Sequence, residues 1–316
     1  MACDNWNMLV VGGGTMGHGI ALTFAVNGYK TAIVDTSNEK LEEARRKIAA
    51  NLRTLVEFGE VTRAAADQAK ALLTYTVKLE DVAPQADFVS EAVFESPEVK
   101  RPVYAQLDKL CRPDCILSSS TSALNIFEIA QVSNPGRLII AHWFNPPHIM
   151  PLVEVVKGPQ TSEDTVEKVM LLLKQVGKSP ALINQYIPGF IINRLSSALS
   201  REASYMITQG WVTAEDIDNA ISSTYGLRYP FEGHMQLYDY VGWDVVLNVS
   251  KTMTPQLCSS TGPNPLASKL VEEGRLGIKV GKGLADYSNV DIAKMQRDRV
   301  INILKMRQAV KALKSE

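Results

Sequence analysis

Short apolar runs alternate with amphipathic stretches through the first part of the chain. Residues 8–11, 31–34, 86–93, 115–117, 138–141, 153–156 and 180–183 are runs of the length that buried strands show. Between them, residues 18–28, 37–58, 62–73, 123–130 and 162–176 repeat apolar positions at helical spacing. From Pro188-Gly189 onward the strand pattern stops, and residues 191–209, 213–223, 233–253 and 290–313 predict long helices. The expected fold class is therefore α/β: a Rossmann-type doubly wound sheet domain over residues 1–187, followed by an all-α C-terminal domain over 188–316. In the last predicted helix, Val300, Ile303, Leu304, Val310 and Leu313 form an apolar stripe among many Lys and Arg, which predicts a packing or dimer face.

Composition narrows the partners. The chain has 316 residues, 46% of them hydrophobic, enough for two domains with a substantial core. A formal net charge of -1 offers no electrostatic basis for general binding to nucleic acid or a membrane surface. Residues 1–7 lack a basic segment, and the apolar run at 8–11 is too short for a signal sequence or a membrane span, so a soluble, cytoplasmic protein is expected. Cys3, Cys111, Cys115 and Cys258 are too few for a disulfide framework, and the spacing of Cys111 and Cys115 matches neither a redox nor a zinc motif; no metal is expected.

The strand at 8–11 runs straight into Gly12-Gly13-Gly14-Thr15-Met16-Gly17, a GxGxxG turn that opens a helix. In that setting Gly12 permits the tight turn, Gly14 lets the backbone approach a pyrophosphate, and Gly17 lets helix and strand pack closely. Thr15 and Met16 complete the loop, whose helix N-terminus faces the phosphates. Asp35 ends the next strand, where an acid accepts from the adenosine ribose hydroxyls and repels a 2′-phosphate. The expected cofactor is NAD rather than NADP. His18, inside the helix that follows the turn, reads as a cap or packing residue.

Two further regions carry candidate chemistry. Glu95 and Lys100 follow the strand at 86–93 across a turn, which reads equally as a solvated turn and helix start or as the sheet edge where ligands of such folds bind. The hydroxyl run at 118–122 reads equally as a helix-capping cluster or as part of that same edge. His142 ends the strand at 138–141, and Glu154 lies beyond a turn containing Pro146, Pro147 and His148. A histidine oriented by a carboxylate serves as a general base near neutral pH. Beside a hydride acceptor, its natural reaction is oxidation of an alcohol to a ketone.

Over nearly its whole length the chain resembles the L-3-hydroxyacyl-CoA dehydrogenase family, through GGGTMGHGIA, SEAVFE, SSSTSAL, HWFNPPHIMPLVEVV, IPGFIINR, GHMQLYDYVGWD and GRLGIKVGKGLADY. The resemblance implies that His142 is the general base and Glu154 its orienting partner, that Ser122 contacts the substrate oxygen, and that Asn193 helps hold the reacting group. It also implies that Glu95, Lys100 and Asn145 contact or border NAD, and that the protein is a homodimer.

Departures from the family pattern bear on the substrate. Ser119-Ser120-Thr121-Ser122-Ala123 stands where the family usually has Ser-Asn-Thr-Ser-Ser, and Tyr186 stands in place of an acid. Residues 57–63 hold few ligands for a CoA phosphate, and Arg228 reads equally as a bidentate partner for a free carboxylate or as a salt-bridge arginine. Arg228, in Gly226-Leu227-Arg228-Tyr229, resembles the free-acid branches of the superfamily, which include L-gulonate dehydrogenase with lambda-crystallin and L-carnitine dehydrogenase, while Ser120 stands as a candidate substrate contact near the reacting end. The Pro146-Pro147-His148 turn and the long C-terminal tail resemble a pyridine-carboxylate dehydrogenase branch. An L-3-hydroxyacyl-CoA is the first expected substrate and a free hydroxy acid the alternative; a non-catalytic, crystallin-like NAD-binding protein is a third reading, against which Ser122, His142, Glu154 and Asn193 together argue.

Overall fold

The computed structural model describes residue 3 and residues 5–314; Met1, Ala2, Asp4, Ser315 and Glu316 lie outside the described residues, and with them part of the 1–7 stretch read for targeting signals. The chain divides into two compact units, Met1–Ile192 and Asn193–Glu316.

The first unit is built on one eight-stranded sheet. Its strands are β1 (Asn7–Val11), β2 (Lys30–Val34), β3 (Leu73–Thr76), β4 (Phe88–Glu91), β5 (Ile116–Ser119), β6 (Leu138–Trp143), β7 (Leu152–Val156) and β8 (Ser179–Ile183). They lie in the order β3-β2-β1-β4-β5-β6-β7-β8, with every neighbouring pair parallel except β6 and β7. The chain winds one way from β1 through β2 to β3, then returns to the other side of β1 for β4. This reversal between β1 and β4 opens the crevice in which such sheets bind ligands.

Helices α1 (Gly17–Val26), α2 (Asn38–Glu57), α3 (Arg63–Ala71), α4 (Pro97–Leu110), α5 (Ile126–Ile129) and α6 (Glu163–Gln175) flank the sheet. Ser37, Thr62 and Ser162 cap α2, α3 and α6, each accepting a hydrogen bond from an amide of the first turn. Leu9, Val89, Leu117 and Ile140 from the central strands share a buried cluster with Tyr104 and Leu107 of α4. Phe24 of α1 meets the rings of Phe88 and Trp143 edge-on, each at 5.8 Å.

The second unit is helical: α7 (Ile192–Thr208), α8 (Ala214–Ser223), α9 (Tyr225–Arg228), α10 (His234–Val241), α11 (Trp243–Met253), α12 (Pro265–Glu272) and α13 (Ile292–Lys314). Among its described residues only Ser204, Gly283 and Leu304 are buried, while Leu199, Trp211, Trp243, Leu247 and Met306 are exposed. No described helix is long and apolar enough to cross a membrane.

Several elements differ from the pattern. Leu73, expected to end a helix, instead opens the edge strand β3, which pairs with β2; the four residues Leu-Thr-Tyr-Thr carry too short an alternation to announce a strand. The helix expected at 233–253 breaks at Gly242, whose φ of +95° cannot continue an α-helix. The helix expected at 123–130 shrinks to α5, since Thr121 and Glu95 hold the preceding backbone in a turn. β6 extends two residues further than expected, so His142 lies within the strand and not past its end.

Candidate active site

The turn after β1 is tight enough to require glycine at both ends. Gly12 has φ +98°, and a Cβ on it would lie 2.7 Å from the Ala92 carbonyl oxygen; a Cβ on Gly17 would lie 1.7 Å from the Gly12 carbonyl oxygen. At Gly14 an added Cβ meets nothing within 4 Å, so the backbone there borders open space. Thr15 is exposed, Met16 is half-buried, and no side chain caps the first amides of α1. An open glycine turn leading into an uncapped helix N-terminus fits the pyrophosphate of a dinucleotide.

Asp35 follows β2 and accepts from the Gly13 amide through Oδ2 at 2.8 Å and from the Thr36 amide through Oδ1 at 2.7 Å. Lys40 lies 3.7 Å from Oδ1. The acid is thereby tied to the glycine turn beside which a ribose would lie. His18 is 2.6 Å from the Gly14 carbonyl through Nδ1, and burial lowers its pKa, consistent with a neutral ring packed behind the turn.

β4 and β5 place a second polar group at the same edge. Glu91, the last residue of β4, is wholly buried, as is Lys100 of α4, and their Nζ–Oε1 distance is 2.6 Å. Lys100 also lies 3.2 Å from Oε2 of Glu95, which is 40% exposed. Oε1 of Glu95 accepts from the Thr121 hydroxyl and from the Ser122 amide at 2.8 Å. Burial raises the Glu95 carboxyl, but the Thr121 hydroxyl, the Lys100 ammonium and the Ser122 amide outweigh it and leave it below the usual range. Ser118 and Ser119 are buried within β5, whereas Ser122 is exposed. Ser120 donates its amide to the Glu91 carbonyl at 2.8 Å.

The antiparallel pairing of β6 with β7 sets His142 directly opposite Glu154. Both are buried, and Nδ1 of His142 lies 2.8 Å from Oε2 of Glu154. Oε1 of Glu154 accepts from the amides of Ile191 and Ile192 at 3.0 and 2.8 Å, so the carboxylate has partners on both oxygens. The imidazole is flanked by Phe144 and Phe190, with ring centroids at 4.6 and 5.4 Å. Between the two strands, the buried Lys178 holds the turn by donating to the carbonyls of Pro147 and Met150 at 2.6 and 3.0 Å.

The remaining residues singled out from sequence are spread more widely. Asn145 is exposed on the turn after β6 and precedes a cis peptide to Pro146. Asn193, half-buried, follows Ile192 in α7 and opens the second unit. Arg228 closes α9 in the second unit, 45% exposed and 3.7 Å from Glu232. Reading the sequence missed Glu91, Tyr104, Phe190, Lys178 and the Ile191–Ile192 amides. A signal existed for Glu91, since a carboxylate inside an otherwise apolar strand needs a buried partner.

Residues 7–186 match the model of the 3-hydroxyacyl-CoA dehydrogenase NAD-binding domain, and residues 189–287 match that of the 3-hydroxyacyl-CoA dehydrogenase C-terminal domain. The chain belongs to the 3-hydroxyacyl-CoA dehydrogenase family. It is an oxidoreductase of that family and its cofactor is NAD. A probable 3-hydroxybutyryl-CoA dehydrogenase of Bacillus subtilis is 36% identical over 282 residues, 89% of this chain and 96% of the relative. Among solved structures, that of 5-formyl-3-hydroxy-2-methylpyridine 4-carboxylic acid 5-dehydrogenase, described as an NAD+-dependent dismutase, superposes with a TM-score of 0.90 at 30% identity, covering 97% of this chain and 99% of that one. The (S)-3-hydroxybutyryl-CoA dehydrogenase of Ralstonia eutropha superposes with a TM-score of 0.76 at 31% identity, covering 90% of this chain and 100% of that one. The family's C-terminal match ends before α13, so this 3-hydroxyacyl-CoA dehydrogenase family member carries a helix beyond the matched domain.

Proposed function

We propose that this dehydrogenase oxidises a secondary alcohol to a ketone, and reverses that reaction, with His142 as general base and Glu154 as its orienting partner. The observation that carries the reading is the buried 2.8 Å contact between His142 Nδ1 and Glu154 Oε2 at the ligand-binding edge of the sheet. With Nδ1 engaged by the carboxylate, Nε2 is the nitrogen left to accept the hydroxyl proton. Glu154 then stabilises the imidazolium that forms. Bound NAD supplies the acceptor for the hydride leaving the carbinol carbon. Ser122 and Asn193 hold the substrate oxygen and the reacting group. Gly12, Gly14, Thr15, Met16 and Gly17 receive the pyrophosphate, Asp35 receives the adenosine ribose, and Glu95, Lys100 and Asn145 border the nicotinamide end.

The Asp35 assignment has its own test. Asp35→Asn keeps an oxygen for the Gly13 amide but removes the charge. Its preference for NAD over NADP, measured as the ratio of kcat/KM values, is expected to fall about ten-fold, equivalent to about 1.4 kcal/mol of lost charge discrimination. An unchanged ratio would remove Asp35 from the ribose site.

For the substrate, family membership supports an L-3-hydroxyacyl-CoA, in line with the Bacillus subtilis relative's name. A second reading, a free hydroxy acid of the L-gulonate, L-carnitine or pyridine-carboxylate type, is supported by the higher TM-score of the pyridine-carboxylate enzyme. Ser120, and Arg228 as a carboxylate partner, are the substrate contacts this reading adds. The deciding experiment follows NADH absorbance with acetoacetyl-CoA, L-3-hydroxybutyryl-CoA, L-gulonate, L-carnitine and 5-formyl-3-hydroxy-2-methylpyridine 4-carboxylate. The acyl-CoA reading expects the highest kcat/KM with a thioester; a higher value with a free acid would replace it with the second reading.

We also read the second unit as a dimerisation domain. Its helices leave Leu199, Trp211, Trp243 and Leu247 exposed around very few buried residues, an apolar surface suited to a second copy.

A further inference from the structure

Glu91, wholly buried, touches Lys100, one of the residues assigned to the cofactor. Four groups converge on its carboxylate. Oε1 accepts from the Lys100 ammonium at 2.6 Å and the Val93 amide at 2.9 Å, and Oε2 accepts from the Ser119 hydroxyl at 2.7 Å and the Tyr104 phenol at 3.3 Å. These partners come from the turn after β4, from α4 and from β5, so the carboxylate is pinned from three directions. Lys100 is 1% exposed and Glu91 0%, so the contact between them offsets the cost of burying each. Lys100 also reaches Glu95, which gathers the Thr121 hydroxyl and the amides of Ser122 and Ala123. One ammonium is thus shared by two carboxylates, one fully buried and one partly exposed.

We propose that Glu91 is a positioning residue: it fixes the Lys100 ammonium against Glu95, and through Glu95 sets the backbone at 121–123, so that the dinucleotide contacts and Ser122 are placed together. The inference rests on the reading of Glu95, Lys100 and Ser122 given above. Glu91 acts through Lys100, so its effect on the cofactor exists only while Lys100 is present. A residue that merely fills the core would lower stability without that dependence.

The test measures NADH dissociation constants by fluorescence, with thermal unfolding in parallel, for wild type, Glu91→Gln, Lys100→Met, the double variant and Ser119→Ala. Glu91→Gln and Lys100→Met are each expected to weaken NADH binding about five-fold or more, the effect of losing roughly one hydrogen bond. The double variant is expected to be no weaker than Lys100→Met alone, and Ser119→Ala to weaken binding about two-fold by loosening Glu91. A folded Glu91→Gln with NADH affinity equal to wild type would overturn the proposal, as would fully additive losses in the double variant. If Glu91→Gln does not fold, Ser119→Ala decides, and unchanged NADH affinity there is the overturning result. His142→Gln separates this proposal from the dehydrogenase reading, because its turnover tests the general base whereas the Glu91 series is read on binding alone.

Discussion

Replacing His142 with Gln is expected to lower kcat by roughly three orders of magnitude while the NADH dissociation constant stays within about two-fold of wild type. The glutamine amide fills much of the imidazole's place between Phe144 and Phe190 and can still meet Glu154, so the fold has little reason to change. What it lacks is a nitrogen able to take the hydroxyl proton, and the loss should fall on kcat at saturating NAD and substrate. Steady-state kinetics on the best substrate, paired with fluorescence titration of NADH, separates the two quantities. Turnover near that of wild type would remove His142 from the base role.

Glu154→Gln is expected to lower kcat by roughly 10²–10³-fold, although it changes one heavy atom. With the amide oxygen kept toward Ile191 and Ile192, the amide nitrogen faces His142 and donates to Nδ1. The ring proton must then sit on Nε2, which removes the base from the nitrogen that needs it, and no carboxylate remains to stabilise an imidazolium. Glu154→Ala should cost stability as well: it strands two backbone amides and one ring nitrogen in a buried setting, at about 1–3 kcal/mol for each unsatisfied group. The expected pair of results is a Gln variant with a nearly normal Tm and an Ala variant with a clearly lower one, both nearly inactive. A Gln variant with full turnover would reduce Glu154 to a packing role.

Strong local signals carried through the chain. Met8–Val11 followed by three glycines reads as a strand and a phosphate turn because both depend on neighbours in sequence: an apolar run and a need for residues without Cβ. Ser37, Thr62 and Ser162 mark helix starts for the same reason, since a cap bonds the amide three residues ahead. Weak signals failed where a tertiary partner supplies the stability. β3 exists as an edge strand because β2 offers it a hydrogen-bonding partner, which four residues of sequence do not reveal. Gly242 looks tolerable in a helical pattern and instead divides α10 from α11.

The candidate site divides along the same line. Residue types and their spacing along the chain supply the glycine-rich turn, Asp35, and a histidine and a glutamate twelve positions apart; they also place these residues near strand ends. Whether the histidine and glutamate meet depends on β6 and β7 running antiparallel in the observed register. A slip of one residue would turn Glu154 to the opposite face of the sheet. The Glu91–Lys100 pair, the two amides on Glu154 and the Lys178 grip on the Pro147 turn all join segments that have no local reason to associate. They form because buried charges and backbone groups must find partners once the sheet has closed around them, and that requirement acts in space rather than along the chain.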